Sequence, residues 1–103
     1  LDDLPTPALV LDLAVLKRNI ARMAAAVARH PNAALRPHLK TAKCAEVAAL
    51  AAPNGAPITV STLAEARHFA ARGWRDQIYA VGITPQKLDA VAQLGPGVKV
   101  ITD

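Results

Sequence analysis

The sequence predicts an α/β fold built from alternating strand–helix units. Three observations carry that expectation. Short apolar runs recur at residues 58–60, 78–81 and 98–101. Segments with helical apolar spacing stand between them. Gly and Pro punctuate the joints, at Pro53-Asn54-Gly55, Gly73, Gly82 and Gly95-Pro96-Gly97. Strict alternation with short turns implies parallel strands joined by right-handed helical crossovers. Both a barrel of repeated units and a doubly wound sheet satisfy this pattern. No Gly-x-Gly-x-x-Gly follows any of the strands, so a dinucleotide fingerprint is absent.

Each element has a local reason. Pro5 and Pro7 keep the first residues extended. Residues 8–11, Ala-Leu-Val-Leu, read as a short buried strand. Asp12 is a suitable N-cap for a helix over 13–29, whose apolar stripe is Leu13, Leu16, Ile20, Met23 and Val27. A strand is expected over 34–40, and Thr41 can cap a helix over 42–51. After the strand at 58–60, Ser61 or Thr62 can cap a helix to about residue 71, and Thr62 and Glu65 have capping-box spacing. Thr84-Pro85 opens the next helix, with Pro in its first turn.

Length and charge bound the function. The chain of 103 residues suffices for one small core. Hydrophobic residues are 52% of it, but many are alanine, and the aromatics are only Phe69, Trp74 and Tyr79. The core is therefore expected to be thin. A net charge of +4 invites nucleic-acid binding, yet the basic residues are dispersed and no aromatic-interleaved basic patch exists. A basic pocket for a phosphate or carboxylate fits as well or better. The single cysteine, Cys44, suits a reducing, cytoplasmic compartment and reads as a small buried residue. No apolar run is long enough to span a bilayer.

The segment 35–43, Leu-Arg-Pro-His-Leu-Lys-Thr-Ala-Lys, carries the chemistry. In an extended chain Arg36, His38 and Lys40 share one face and Leu35, Pro37 and Leu39 the other. An edge strand with a solvated basic face satisfies that pattern as well as an anion site does. Lys40 falls at the carboxyl end of the expected strand, where functional groups of parallel α/β folds gather. An inward-facing lysine beside Arg36 and His38 would be partly desolvated. Desolvation and like charge favour the neutral amine, which is the form that attacks an aldehyde. His30 and His68 read as helix-end and helix-packing residues, and Asp2-Asp3 as a solvated terminus.

Residues 6–12 (Thr-Pro-Ala-Leu-Val-Leu-Asp), 19–23 (Asn-Ile-Ala-Arg-Met), 35–44 and 59–66 (Thr-Val-Ser-Thr-Leu-Ala-Glu-Ala) together resemble the start of the D-threonine aldolase and D-serine dehydratase-like enzymes. These are fold-type III pyridoxal-phosphate enzymes of the alanine racemase N-terminal-domain superfamily. The resemblance implies that the strand–helix units form part of a (β/α)8 TIM-like barrel with pyridoxal 5'-phosphate at its mouth. It implies that Lys40 holds the cofactor as an imine and exchanges protons at the substrate α-carbon. His38 and Arg36 match positions that support the lysine and cofactor. One departure stands out, because Ala42 occupies a position where the family usually has a second His.

A complete barrel of this type needs roughly 250 residues, so residues 1–103 are expected to be its N-terminal portion. By resemblance, the rest of the barrel, a C-terminal β domain and any divalent-metal ligands lie elsewhere. The expected substrates are small D-3-hydroxy amino acids. Cleavage to glycine and an aldehyde, as in a D-threonine aldolase, is the leading expectation, and a D-serine dehydratase-like lyase is the alternative. A cofactor carrier without turnover and an inactive structural fragment are the rivals from other classes. Open sheet edges favour a homodimer or other self-association.

Overall fold

A computed structural model describes residues 3–102. The expected solvated character of Asp2 lies outside the described residues. The chain divides into two compact units, residues 1–33 and 34–103.

In the first unit, α1 spans Leu13–Val27. Asp12 caps it as expected, its Oδ1 accepting a hydrogen bond from the Val15 N–H at 2.9 Å. Residues 8–11 do not form a strand. Their apolar run is right for one, but Leu9, Val10 and Leu11 are 104%, 64% and 58% exposed. A strand exists only through a paired neighbour, and these residues pair with none of the others described.

The second unit is the α/β part. Helix α2 (Ala45–Ala51) precedes β1 (Ile58–Val60), α3 (Leu63–Ala70), β2 (Gln77–Gly82), α4 (Leu88–Ala92) and β3 (Val98–Ile101). The strands lie in the order β1-β2-β3 and all pairings are parallel. Ile58 stands opposite Gln77, and Gln77 opposite Val98. A fourth extended piece flanks β1. The Leu39 N–H donates to the Thr59 carbonyl at 3.0 Å, and the Thr59 N–H to the Pro37 carbonyl at 2.9 Å. The strand expected over 34–40 is thus reduced to one parallel bridge, His38 with Thr59. Pro37 contributes no N–H to extend that ladder.

The helices bury one face of this sheet. Leu39, Ile58 and Val60 pack with Ala48, Ala52, Ala66, Phe69 and Trp74. Tyr79 and Val98 pack with Val91, and Leu94 touches both clusters. The polar donors of this layer are held by backbone: Trp74 Nε1 donates to the Ala52 carbonyl at 2.8 Å and Gln77 Nε2 to the Ala66 and Trp74 carbonyls, while the buried Gln77 Oε1 is left without a hydrogen-bond partner among the described residues. Because side chains alternate along a strand, His38, Lys40, Thr59 and Ile78 belong to the opposite face.

Two helix starts differ from expectation. Cys44, not Thr41, occupies the N-cap position of α2. Lys43 has a φ of +49°, so the backbone cannot enter the helix earlier. Thr84-Pro85 leads into a 3-10 turn, Pro85–Lys87, before α4 begins.

Candidate active site

Lys40 lies two residues beyond the His38 bridge and so sits at the carboxyl end of its extended segment, in a turn. Residues 39–43 close that turn through the Lys43 N–H, which donates to the Leu39 carbonyl at 2.9 Å. Leu39, 3% exposed, anchors the turn in the helix-facing core, while His38 and Lys40 on the other face are exposed. The desolvation expected for Lys40 is not supplied by the described residues, among which it has no ion-pair partner.

His38 and Lys40 are brought together. The Lys40 backbone N–H donates to His38 Nδ1 at 3.2 Å. An accepting Nδ1 leaves the proton of the neutral ring on Nε2, so the imidazole presents a donor on its outer edge.

Arg36 is engaged elsewhere. Its Nη1 donates to Asp76 Oδ1 at 2.9 Å, to the Asp76 carbonyl at 3.2 Å and to the Ile58 carbonyl at 3.3 Å. Ile58 begins β1 and Asp76 immediately precedes β2, so this guanidinium lies at the amino ends of the strands, opposite Lys40. Lys99 Nζ joins Asp76 Oδ1 at 2.5 Å. The Arg36 hydrogen bond first, and the Lys99 one second, hold the Asp76 carboxyl below the usual carboxylate range.

One participant was legible only in part. Glu65 is 6% exposed, and Thr62 Oγ1 accepts its N–H at 3.0 Å, as the capping spacing predicts. Its side chain also reaches one residue beyond the cap, Oε2 accepting the Ser61 N–H at 2.8 Å. Its Oε1 lies 3.4 Å from Lys43 Nζ. Burial raises this carboxyl, but the Ser61 N–H and the Lys43 ammonium outweigh that and bring it below the ordinary value. Ser61 directly follows β1, so Glu65 links the end of β1 to the residue that closes the Lys40 turn.

Cys44 is half-buried, and its Sγ donates to Glu46 Oε2 at 2.8 Å. That contact first, with its own backbone N–H second, lowers the Glu46 carboxyl. His68 packs edge-on against Phe69 and accepts from Arg72 Nη1 at 3.1 Å, in keeping with a packing role. Among the described residues no group of three or more His, Cys, Asp or Glu could hold a metal ion. No helix among them is long and apolar enough to cross a membrane.

Residues 11–101 match the family described as alanine racemase, N-terminal domain. The D-threo-3-hydroxyaspartate dehydratase of Delftia sp. (strain HT23) is 46% identical over 104 residues, covering 97% of this chain and 27% of that protein. The D-threonine aldolase of Arthrobacter sp is 40% identical over 97 residues, covering 92% of this chain and 25% of that protein. The crystal structure of an alanine racemase-like protein from Idiomarina loihiensis superposes with a TM-score of 0.91 at 43% identity, covering 98% of this chain and 28% of that one. The chain thus spans about a quarter of the length of the curated relatives it matches.

Proposed function

Because the chain belongs to the alanine racemase N-terminal-domain family, we propose that residues 1–103 are the N-terminal portion of a pyridoxal-phosphate-dependent enzyme acting on D-3-hydroxy amino acids. Its strand–helix units form part of a (β/α)8 barrel. The reading is carried by the Lys40 amine, exposed at a strand's carboxyl end on the sheet face away from the helices.

The described residues fit a covalently held aldehyde cofactor. Lys40 offers an accessible primary amine, and His38 fixes the backbone at that residue. In this proposal Lys40 attaches pyridoxal phosphate and moves the proton at the substrate α-carbon. His38 supports it, with Nε2–H free to donate. Arg36 supports it from the other end of the segment by tying its base to β1 and β2. When bound, the cofactor supplies an electron sink for charge released at the substrate α-carbon. The chemistry of Thr41 is unassigned, and Ala42 offers no side-chain donor or acceptor there.

Two outcomes suit such substrates. Cleavage between Cα and Cβ gives glycine and an aldehyde. Loss of the α-proton and then of the β-hydroxyl, together as water, followed by hydrolysis of the released imine, gives a keto acid and ammonia. The higher identity to the dehydratase, 46% against 40%, favours the second reading beside the first. A divalent metal, held by residues outside this segment, and a cytoplasmic homodimer complete the proposal.

The test is to mix the full-length gene product with pyridoxal phosphate, reduce with borohydride and map the peptides. The expected result is one pyridoxyl group, on Lys40. Modification spread over many lysines, or none, overturns the assignment. Turnover of D-threonine, D-serine and D-threo-3-hydroxyaspartate, with and without a divalent metal, then separates aldolase, dehydratase and a carrier with no turnover.

A further inference from the structure

We propose that Lys43 and Glu65 form a positioning pair that holds the Lys40 turn to the carboxyl end of β1. The proposal rests on the assignment of Lys40 as the cofactor-attaching residue.

The turn is fixed at its entry by backbone pairing, since the Thr59 N–H and carbonyl bond to Pro37 and Leu39. Its exit is different. Lys43 sits at φ +49°, a conformation that glycine adopts freely and a long side chain does not. Such a residue persists where its surroundings over-determine it. Here a side-chain tether supplies that determination. Lys43 Nζ reaches Glu65 Oε1 at 3.4 Å, and the other oxygen of that buried carboxylate is held by the Ser61 N–H at 2.8 Å. Glu65 is buried on α3, which contacts both β1 and β2, and its N–H is capped by Thr62 Oγ1. A side chain at position 43 is therefore tied to the strand next to the Lys40 segment, and Lys40, Thr41 and Ala42 form the tip of the turn between two anchored ends. A glycine at 43 would serve the backbone alone; a lysine adds the tether.

Conversely, Glu65 has no need of Lys43 in order to cap α3, because its N–H and its Oε2 already serve the helix start. The remaining oxygen is left for the turn. The pair acts through Lys40 and touches neither substrate nor cofactor, so it is a positioning device.

The test follows the rate at which the full-length protein captures pyridoxal phosphate, read by the visible absorption of the lysine-bound cofactor. Lys43 is 60% exposed, so its variants leave the core intact. Lys43→Met and Glu65→Gln each slow capture roughly tenfold, as expected when a reacting group loses its fixed placement. The double variant is no slower than the slower single one, because both remove the same contact. Lys43→Arg returns the rate to within about twofold. Lys43→Gly, which relieves the backbone but lacks the tether, does not restore it.

An unchanged rate in Lys43→Met overturns the proposal. So does restoration by Lys43→Gly, which would make backbone conformation the cause. Should Glu65→Gln fail to fold, the Lys43 series decides alone. Absence of a pyridoxyl group on Lys40 in the unaltered protein overturns both this proposal and the assignment it rests on. A labelled Lys40 with unaffected variants overturns only the pair.

Discussion

Arg36 Nη1 and Asp76 Oδ1 stand 2.9 Å apart across forty residues of sequence, and the same nitrogen reaches the carbonyls of Ile58 and Asp76. One guanidinium thereby joins the segment carrying Lys40 to the first residue of β1 and the residue before β2. Replacement of Arg36 by Met is expected to lower stability by roughly 1–2 kcal/mol, since several charge-assisted bonds of a partly buried group are lost. Arg36→Lys recovers less than half, because an ammonium cannot reproduce the planar fork. Urea midpoints of the three proteins check both statements.

Acid should act on the same cluster. The folded Asp76 carboxyl lies below its ordinary value of about 3.9, held there by Arg36 and Lys99. The stabilisation is present above that value and is lost as pH falls through the folded one. The difference in urea midpoint between the unaltered protein and Asp76→Asn should hold steady above about pH 5 and shrink progressively as pH falls below the ordinary carboxylate value. High salt should shrink it, because the Asp76 side chain is 42% exposed.

Among apolar residues Phe69 is expected to be the most costly to truncate. It is fully buried and packs edge-on against Trp74, the ring centres 6.0 Å apart. Phe69→Ala should cost about 3–5 kcal/mol. Trp74→Phe keeps most of the packing but leaves the Ala52 carbonyl without its 2.8 Å donor, a loss of about 1–2 kcal/mol. Denaturant titration distinguishes the two magnitudes.

Two glycines separate torsional from steric cost. Gly73 has φ +103° with open space where a Cβ would go, so Gly73→Ala carries torsional strain alone, roughly 1 kcal/mol. At Gly97 a Cβ would overlap the Arg75 carbonyl oxygen, beside the point where the Gly97 carbonyl accepts the Gln77 N–H at 2.9 Å. Gly97→Ala should therefore be the more damaging, at about 1–3 kcal/mol. A reversed order of melting temperatures would refute this ranking.

Much of the fold was legible because local signals and tertiary packing agree at these positions. Asp12 and Thr62 cap the helices they were expected to cap. The runs at 58–60, 78–81 and 98–101 became β1, β2 and β3, with β2 one residue longer at each end. Where the sequence misled, the missing information was non-local. Residues 8–11 have strand composition, but pairing is a property of two segments. Alternation assigns Arg36, His38 and Lys40 to one face, yet it says nothing about which end a long side chain reaches, and Arg36 reaches the amino end. The Thr62–Glu65 spacing disclosed the cap. It did not disclose that the carboxylate would turn to Ser61 and Lys43, because that depends on a neighbouring strand end. The left-handed backbone at Lys43 carried no sequence signal, since neither Gly nor Asn stands there.

Asp76, finally, imposes an order on biosynthesis. Arg36 leaves the ribosome forty residues before its carboxylate, and Lys99 follows twenty-three residues after it. Until Asp76 emerges, the segment bearing Lys40 has the Thr59 bridge and, at its base, only the Ile58 carbonyl to hold Arg36. A nascent chain arrested after β1 would hold Lys40 on a segment fixed less firmly in register. Commitment of that lysine to one position thus waits for β2 to be translated.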